Sequence, residues 1–266
     1  MRFSAFFLLL VSLHVAPACA ATTQWQDLGG GRARMAVQLD PADGSVTGVV
    51  EIELDEGWKT YWREPGGTGI PPQFDFSSSK HFLPGETSFP APHVLSAAGS
   101  RFAGYKGTVR FVFKGETTGA QDGRIGLDFL AGVCDEICIP AMAHFEIPFS
   151  RLNVSDAEAA RAIAEALPLL PSAPRPGLRT VAARLSPEGH LRVQTETAPG
   201  EDAPQLFVEG PDGWYFEPAK LISREGSIAN FEADALEMPA GVGETRLRMT
   251  LAQGQDSVEE WVAPSR

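Results

Sequence analysis

Short segments of alternating apolar and polar residues recur through the first half of this 266-residue chain. The clearest are ARMAVQL (33–39), SVTGVVEIEL (45–54), TVRFVFKG (108–115), RIGLDFLAGV (124–133) and AHFEIPF (143–149). Alternation with a period of two is typical of strands that bury one face. Turn sequences such as Asp-Gly and Gly-Gly separate several segments, and the chain contains 27 Gly and 21 Pro. We therefore predict an all-β fold with many turns.

The alternation stops once, in a segment that favours a helix. SDAEAARAIAEAL (155–167) begins with Ser155 as a candidate N-cap, and Glu158 follows three residues later, which is the spacing of a capping box. The next segment, PLLPSAPRPG (168–177), contains four prolines and is typical of a semi-rigid extended linker. We expect the helix and the Pro-rich linker, 153–177, to join two domains.

Alternating segments resume after the linker, which predicts a second β-sandwich at 178–266. The segments are LRTVAARLS (178–186), HLRVQTET (190–197), APQLFVEG (203–210), GSIANFEAD (226–234) and TRLRMTLAQG (245–254). This half has no cysteine and a single histidine, His190. It contains neither a nucleophile–base set nor metal-ligand spacing, so we favour a structural or docking role for it.

The N-terminus has the features of a secretory signal peptide. A single positive charge, Arg2, precedes an apolar run at 6–15, and small residues follow at 18–20. The segment is too short to span a membrane, and no other segment has the roughly 18 apolar residues that a transmembrane helix needs. We predict that residues 1–20 are a cleaved signal peptide, and that the protein is exported to the periplasm without inserting into the membrane.

Three cysteines are present, and the first, Cys19, lies in the predicted signal peptide. Lipidation of Cys19 is a weaker alternative because Ala16 stands where a larger aliphatic residue is usual. Once the signal peptide is removed, only Cys134 and Cys138 are left, in a compartment where disulfides persist. The formal net charge of −12 makes nucleic acid a poor partner.

The remaining pair lies in LAGVCDEICIP (130–140). In one extended strand the Cα atoms of Cys134 and Cys138 would be about 13 Å apart, too far for a disulfide. A tight reversal through 135–137 would place them opposite each other in a hairpin, with Cα atoms about 4.5–5.5 Å apart. The spacing therefore permits a disulfide.

A structural, a metal-binding and a redox role are open for this pair. Closing a ring this small lowers the entropy of the unfolded chain by an amount worth only about 2 kcal/mol, so a purely structural disulfide would add little stability. Two thiolates supply only half of the four ligands of a tetrahedral zinc site, and His144 is the only further candidate ligand near in sequence. A Cu(I) site is another alternative. We favour redox exchange, which needs no cofactor. Because Asp135 and Glu136 disfavour a thiolate, the exchange is expected to depend on a partner.

Four motifs occur in a characteristic order. They are GWKTYWREPGGTGIPPQFDF (57–76), FPAPHVL (89–95), YKG (105–107) and CDEICIPA (134–141). Together they resemble the N-terminal periplasmic domain of the DsbD/ScsB thiol:disulfide interchange proteins, and Cys-x-x-x-Cys-Ile-Pro is closer to the ScsB-type branch. The resemblance covers 25–150 strongly and the second β unit loosely. It implies an immunoglobulin-like sandwich at 21–152, and we expect two tandem immunoglobulin-like β-sandwich domains.

The resemblance also implies roles for individual residues. Cys138 would form the mixed disulfide with partners, and Cys134 would resolve it. In the family a loop with an aromatic residue caps the disulfide, and the corresponding stretch here is 99–107. The candidate cap or wall residues are Phe102, Tyr105 and Tyr61.

The partners implied by the resemblance are other thiol proteins. The electron donor would be a membrane-embedded thiol relay or a thioredoxin-like domain, and the acceptors would be oxidised periplasmic proteins. Family members usually carry the membrane and thioredoxin parts in the same chain. This sequence contains neither, so we expect that the protein either works with a separately encoded membrane reductase or has lost that role. The alternative function is a non-enzymatic module that docks a partner or holds Cu(I), with a structural disulfide.

Overall fold

The computed structural model describes residues 19–66, 69–97, 100–119, 122–200, 202–238 and 245–266. Almost all of the predicted signal peptide lies outside these residues, and its last two residues, Cys19 and Ala20, begin the first strand. Within the described ranges, no helix is both long and apolar enough to cross a membrane.

The first domain is a sandwich of two antiparallel sheets. One sheet has the strand order β1-β3-β4-β10-β7, with β2 also paired to β3, and the other has the order β12-β11-β5-β9-β8, with β6 also paired to β11. The strands are β1 (Cys19–Thr22), β2 (Gln26–Asp27), β3 (Gly31–Leu39), β4 (Ser45–Leu54), β5 (Lys59–Tyr61), β6 (Gln73–Asp75), β7 (Phe82–Ser88), β8 (His93–Ala97), β9 (Ser100–Lys106), β10 (Thr108–Thr117), β11 (Arg124–Cys134) and β12 (Cys138–Pro148).

The alternation read from the sequence accounts for the core of this sandwich. Alternate residues of the long strands are buried and meet in one cluster between the sheets, where Phe111, Phe129 and Phe145 are almost fully buried. The strand β4 has the predicted limits, and β12 begins earlier than predicted, at Cys138. The all-β prediction is confirmed.

The predicted helix forms, but its cap differs from the prediction. The helix α1 spans Ala157–Ala166, and its N-cap is Asp156, whose carboxylate accepts hydrogen bonds from the N–H groups of Glu158 and Ala159. The capping box beginning at Ser155 is therefore wrong by one residue. The physical reason is that the Asp156 carboxylate also accepts a hydrogen bond from Thr22 of β1, which ties the start of the helix to the first sheet.

The helix packs on the first sandwich. Its buried face, which includes Ala159, Ala162 and Ile163, lies against Ala36 and Val49 on the outer side of the first sheet. Apolar burial of this kind supplies most of the stability of so short a helix.

A charged network beside α1 links it to the same sheet. The carboxylate of Glu51 is 2% exposed and accepts hydrogen bonds from Arg34 and Arg110. Each arginine also pairs with a carboxylate of α1, Arg34 with Glu158 and Arg110 with Glu165. The buried charge of Glu51 is thus balanced by two cations, which is the arrangement that a buried carboxylate requires.

The second domain is also built from antiparallel sheets. One has the order β13-β14-β18-β16, with β17 also paired to β18, and the other has the order β15-β19-β20. The strands are β13 (Arg179–Leu185), β14 (His190–Glu196), β15 (Gln205–Glu209), β16 (Tyr215–Phe216), β17 (Lys220–Glu225), β18 (Ile228–Glu237), β19 (Leu247–Gln253) and β20 (Asp256–Val262). The Pro-rich linker runs along this domain, and its Ser172 forms a parallel bridge with Val258 of β20.

The two domains contact each other immediately after β5. The ring of Trp62 is buried and lies 5.7 Å from the ring of Phe207 in β15. The next residue, Arg63, forms ion pairs with Glu209 and Glu259 of the second domain. The second domain therefore holds the chain segment that follows Tyr61.

Candidate functional site

The two cysteines lie at the tip of the β11–β12 hairpin. Cys134 ends β11, Cys138 begins β12, and the two are direct partners in the ladder. They form a disulfide with Cα atoms 4.1 Å apart. The chain reverses through 135–137, where the N–H of Asp135 donates to the carbonyl of Ile137. The predicted hairpin is confirmed.

The two sulfur-bearing residues differ sharply in exposure. Cys134 is 1% exposed, whereas Cys138 and the residues on either side of it are exposed. Cys138 is therefore the member of the pair that faces solvent.

Tyr61 supplies the polar group beside the disulfide. Its hydroxyl lies 3.0 Å from the Sγ of Cys138 and 3.3 Å from the Sγ of Cys134. The strand β5 brings it there, because β5 pairs with the end of β11 and places Lys59 opposite Cys134. Burial raises the pKa of Tyr61, so the hydroxyl stays protonated at neutral pH and is available as a donor to sulfur.

Phe102 covers the other side of Tyr61. Their ring centroids are 4.9 Å apart, and both rings belong to a small buried cluster with Leu95 and Cys134. Phe102 lies on the strand β9 rather than on a loop, and Gly99 of the predicted cap stretch lies outside the described residues. The structure thus brings Phe102 next to the disulfide.

Tyr105, the other candidate cap residue, lies in the core of the first sandwich. It is three residues from Phe102 on the same strand, so the two side chains point to opposite faces of the sheet. Its ring packs against Phe111, and its hydroxyl donates to the carbonyl of Pro90 at 2.8 Å. A strand allows only one of the two aromatic residues to face the disulfide.

Gly132 is a site residue that the sequence reasoning missed. Its N–H donates to the carbonyl of Ile70, which brings the chain at 69–72 across β11. A Cβ on Gly132 would lie 2.9 Å from the side chain of Ile70 and 3.0 Å from the ring of Tyr61. Only glycine permits this close approach, and a glycine inside a strand is the sequence signal that could have indicated it.

Metal ligands do not gather around the disulfide. Within the described part of the chain, no three residues among His, Cys, Asp and Glu are placed to hold a metal ion. His144, the nearest histidine in sequence, forms a 2.7 Å hydrogen bond with Asp128 on the neighbouring strand.

Most of the first sandwich matches a known protein family. Residues 31–150 match the family described as "Thiol:disulfide interchange protein DsbD, N-terminal". Residues 31–150 belong to the DsbD N-terminal domain family. The match includes both cysteines, Tyr61 and Phe102, and it supports a thiol:disulfide interchange module. A search of curated proteins found no match.

The architecture beyond the DsbD-type domain is also shared with a solved structure. The crystal structure of the N-terminal periplasmic domain of ScsB from Proteus mirabilis superposes with a TM-score of 0.75 at 19% identity, covering 92% of this chain and 99% of that one. The likeness therefore extends past residue 150 and includes the second sandwich. At this identity it shows a common fold.

Glu64 is a half-buried acid at the contact between the DsbD-type domain and the second domain. Its carboxylate accepts a hydrogen bond from the N–H of Gly66. Burial, reinforced by the nearby charge of Glu209, raises the pKa of Glu64 to about 7. Because the folded protein then binds a proton more tightly than the unfolded chain, ionisation of Glu64 lowers stability as pH rises from about 4.5 to about 7.

Replacing Glu64 with glutamine should remove this loss. We expect Glu64→Gln and wild type to be equally stable near pH 5, and the variant to be more stable by about 1–2 kcal/mol near pH 8, after allowance for partial exposure. Urea unfolding at the two pH values measures the difference. Glu56→Gln, an exposed control, should change stability by less than about 0.5 kcal/mol at either pH. A Glu64→Gln effect that does not grow with pH would contradict the assignment.

Proposed function

We propose that the protein is a periplasmic thiol:disulfide interchange protein that relays reducing equivalents through Cys134 and Cys138. Electrons would come from a membrane thiol relay or a thioredoxin-like domain and pass to oxidised exported proteins. The observation that carries the proposal is that an exposed Cys138 is bonded to a buried Cys134, and that the Tyr61 hydroxyl lies within hydrogen-bond distance of both sulfurs.

Stabilisation of the fold is a poor explanation of this disulfide. The hairpin is already held by an unbroken ladder from Arg124 and Pro148 to the cysteines. Closing so small a ring at its tip adds little, since the chain-entropy gain is on the order of 2 kcal/mol even without the ladder.

Loading of the pair begins at Cys138. A donor thiolate attacks the Sγ of Cys138, the bond to Cys134 breaks, and the electron pair leaves on the Sγ of Cys134. Water does not reach that thiolate, because Cys134 is buried, and the Tyr61 hydroxyl is placed to donate to it. A second donor thiol then releases the donor as a disulfide, so two electrons have entered the pair and both cysteines are reduced.

Delivery reverses these steps. The thiolate of Cys138 attacks a disulfide of the acceptor protein and displaces one acceptor sulfur as a thiolate. The thiolate of Cys134 then attacks the Sγ of Cys138 and releases the second acceptor sulfur. The acceptor leaves reduced with two electrons, and the Cys134–Cys138 disulfide forms again.

The proposed location follows from the predicted signal peptide at 1–20 and from the family. The DsbD-type domain of this chain would work outside the cytoplasm, where its pair can be oxidised by exported proteins. The second domain would serve as a structural partner, since it contacts the segment after Tyr61 through Arg63.

Trapping experiments test the proposal. A Cys134→Ala variant should accumulate mixed disulfides through Cys138 in a periplasmic extract, because no resolving thiol is present. Cys138→Ala is the matched control and should trap nothing, since the remaining cysteine is buried. If only Cys138→Ala traps proteins, the roles of the two cysteines are reversed.

The reduction potential of the pair gives an independent test. In glutathione or dithiothreitol buffers we expect a potential above about −300 mV, which partner thiols can match. A value far below this limit would show a structural disulfide and exclude the relay. Stoichiometric Cu(I) binding by the reduced protein alone would instead support the metal-binding alternative.

A further inference from the structure

The strand β12, which begins at Cys138, is the last strand of its sheet. It pairs with β11 along its whole length, and in the described residues no second strand pairs with its other side. One edge of β12 is therefore open next to the exposed sulfur. Open edges offer unpaired N–H and C=O groups to another chain.

The hydrogen bonds of His144 show which backbone groups face this edge. Its N–H donates to the side-chain oxygen of Gln26, and its carbonyl accepts from the side-chain nitrogen of Gln26, so the backbone of His144 points away from β11. Inward and outward residues alternate in an antiparallel pair. Cys138, Pro140 and Met142 therefore also point outward.

The short Cα separation at the disulfide agrees with this assignment. Non-hydrogen-bonded pairs have Cα atoms about 4.5 Å apart, and hydrogen-bonded pairs about 5.5 Å. Cys134 and Cys138 are 4.1 Å apart, which places them in the first class. The backbone groups of Cys138 are thus free to bond outward.

The outward groups next to Cys138 have no partner in the described part of the chain. Among the described residues, nothing bonds to the N–H of Met142 or to the outward carbonyls at 138–142. The side-chain amide of Gln26 already fills the next outward position, at His144, in the way a neighbouring strand would. The stretch also exposes apolar side chains, since Met142 is 75% exposed and Ile139 is 36% exposed, and the turn just before it exposes Ile137.

The direction of the disulfide makes this edge the reactive side. The bond from Cys138 to Cys134 points toward β11, and the open edge lies on the opposite side of Cys138. In thiol–disulfide exchange the attacking sulfur approaches opposite the leaving sulfur. A sulfur that arrives along the open edge is therefore in line for displacement of Cys134.

We propose that acceptor proteins dock by adding an extended, apolar segment antiparallel to the 138–142 edge, with their reacting cysteine opposite Cys138. The opposed residues would form a hydrogen-bonded pair with Cα atoms about 5.5 Å apart, a distance that a mixed disulfide accepts. The proposal rests on the proposed exchange function and adds the recognition mode, strand addition. Pro140, which has no N–H, limits the edge to a few bonds and so to a transient complex.

A peptide probe tests the docking mode on the intact wild-type protein. The probe is an extended Val/Thr peptide with one cysteine, activated as its mixed disulfide with nitrothiobenzoate. The reduced Cys138 thiolate attacks the peptide sulfur and displaces the coloured nitrothiobenzoate thiolate, so its release reports the first bond-forming step. N-methylation two and four residues before the peptide cysteine blocks the edge-facing amides, and we expect it to slow release about tenfold. Methylation one and three residues before it alters only the far side and should have little effect.

A protein variant provides the complementary test. Met142→Pro removes the outward N–H without removing a bond to β11, and Pro140 already occupies the equivalent position. We expect release from the peptide to slow about fivefold, while Met142→Leu, which keeps the N–H, reacts like wild type. Both variants should react normally with the symmetric nitrobenzoate disulfide, which has no backbone.

The possible outcomes distinguish a failure of the docking mode from a failure of the exchange function. Equal rates for both methylated peptides, together with a normal rate for Met142→Pro, would overturn the docking mode and leave the exchange function standing. Failure of the reduced protein to react with either the peptide or the nitrobenzoate disulfide would overturn both.

Discussion

Replacing Tyr61 with phenylalanine should slow thiol–disulfide exchange by roughly 10- to 100-fold. The variant keeps the ring that packs against Phe102 and removes only the hydroxyl, which lies 3.0 and 3.3 Å from the two sulfurs. A hydrogen bond to a charged group contributes about 1.5–3 kcal/mol, and this energy is lost where the leaving thiolate of Cys134 forms in a buried position. Reduction of the disulfide by dithiothreitol, followed by stopped flow, measures the rate.

The pH profile distinguishes this role from packing. If the hydroxyl stabilises the thiolates of the reduced pair, Tyr61→Phe should need a higher pH than wild type to reach the same exchange rate. Tyr105→Phe is the matched control, because it removes a buried tyrosine hydroxyl bonded to Pro90 in the core. We expect Tyr105→Phe to lose some stability and to react within about twofold of wild type. Equal rates for wild type and Tyr61→Phe would show that the hydroxyl does not act on the sulfurs.

Replacing Glu51 with glutamine should cost about 3–5 kcal/mol of unfolding free energy. The change keeps the shape of the side chain but leaves Arg34 and Arg110 without the carboxylate that they share. Breaking a buried pair by removing one partner leaves an uncompensated buried charge, which is the costly case. Their remaining partners, Glu158 and Glu165, are largely exposed and compensate only in part. Urea unfolding of the oxidised protein measures the loss.

A control lies two residues away on the same strand. Glu53 pairs with Arg32 across β4 and β3 in the same way, but both side chains are exposed. Glu53→Gln should therefore cost less than about 1 kcal/mol. Comparable costs for the two variants would mean that burial does not govern the Glu51 network.

The sequence was most informative where structure is set by neighbours along the chain. Period-two alternation located β3, β4, β10 and β11, because a strand that buries one face must alternate. The spacing of Cys134 and Cys138, with strand-like segments on both sides and Pro140 disfavouring a helical turn, predicted the hairpin. An alanine-rich segment predicted α1, and only its cap residue was misplaced.

The parts that were missed depend on contacts between distant segments. Nothing near Gly132 in sequence shows that Ile70 crosses above it. Phe102 and Tyr105 looked equivalent as cap candidates because the stretch was interpreted as a loop. In a loop, unlike a strand, the spacing of two residues does not determine whether their side chains point to the same side. Glu51 looked like an ordinary polar position of a strand, although two arginines and a helix cover it.

The sequence by itself determined the fold class and the pair of cysteines that can close on each other. Only the tertiary structure decided that the two cysteines differ in burial. Cys138 is exposed because β12 is the edge of its sheet, and Cys134 is buried because β5 and β9 bring Tyr61 and Phe102 over it. Burial depends on which strands become neighbours in the sheet, and strand order is set by long-range packing that no local pattern records.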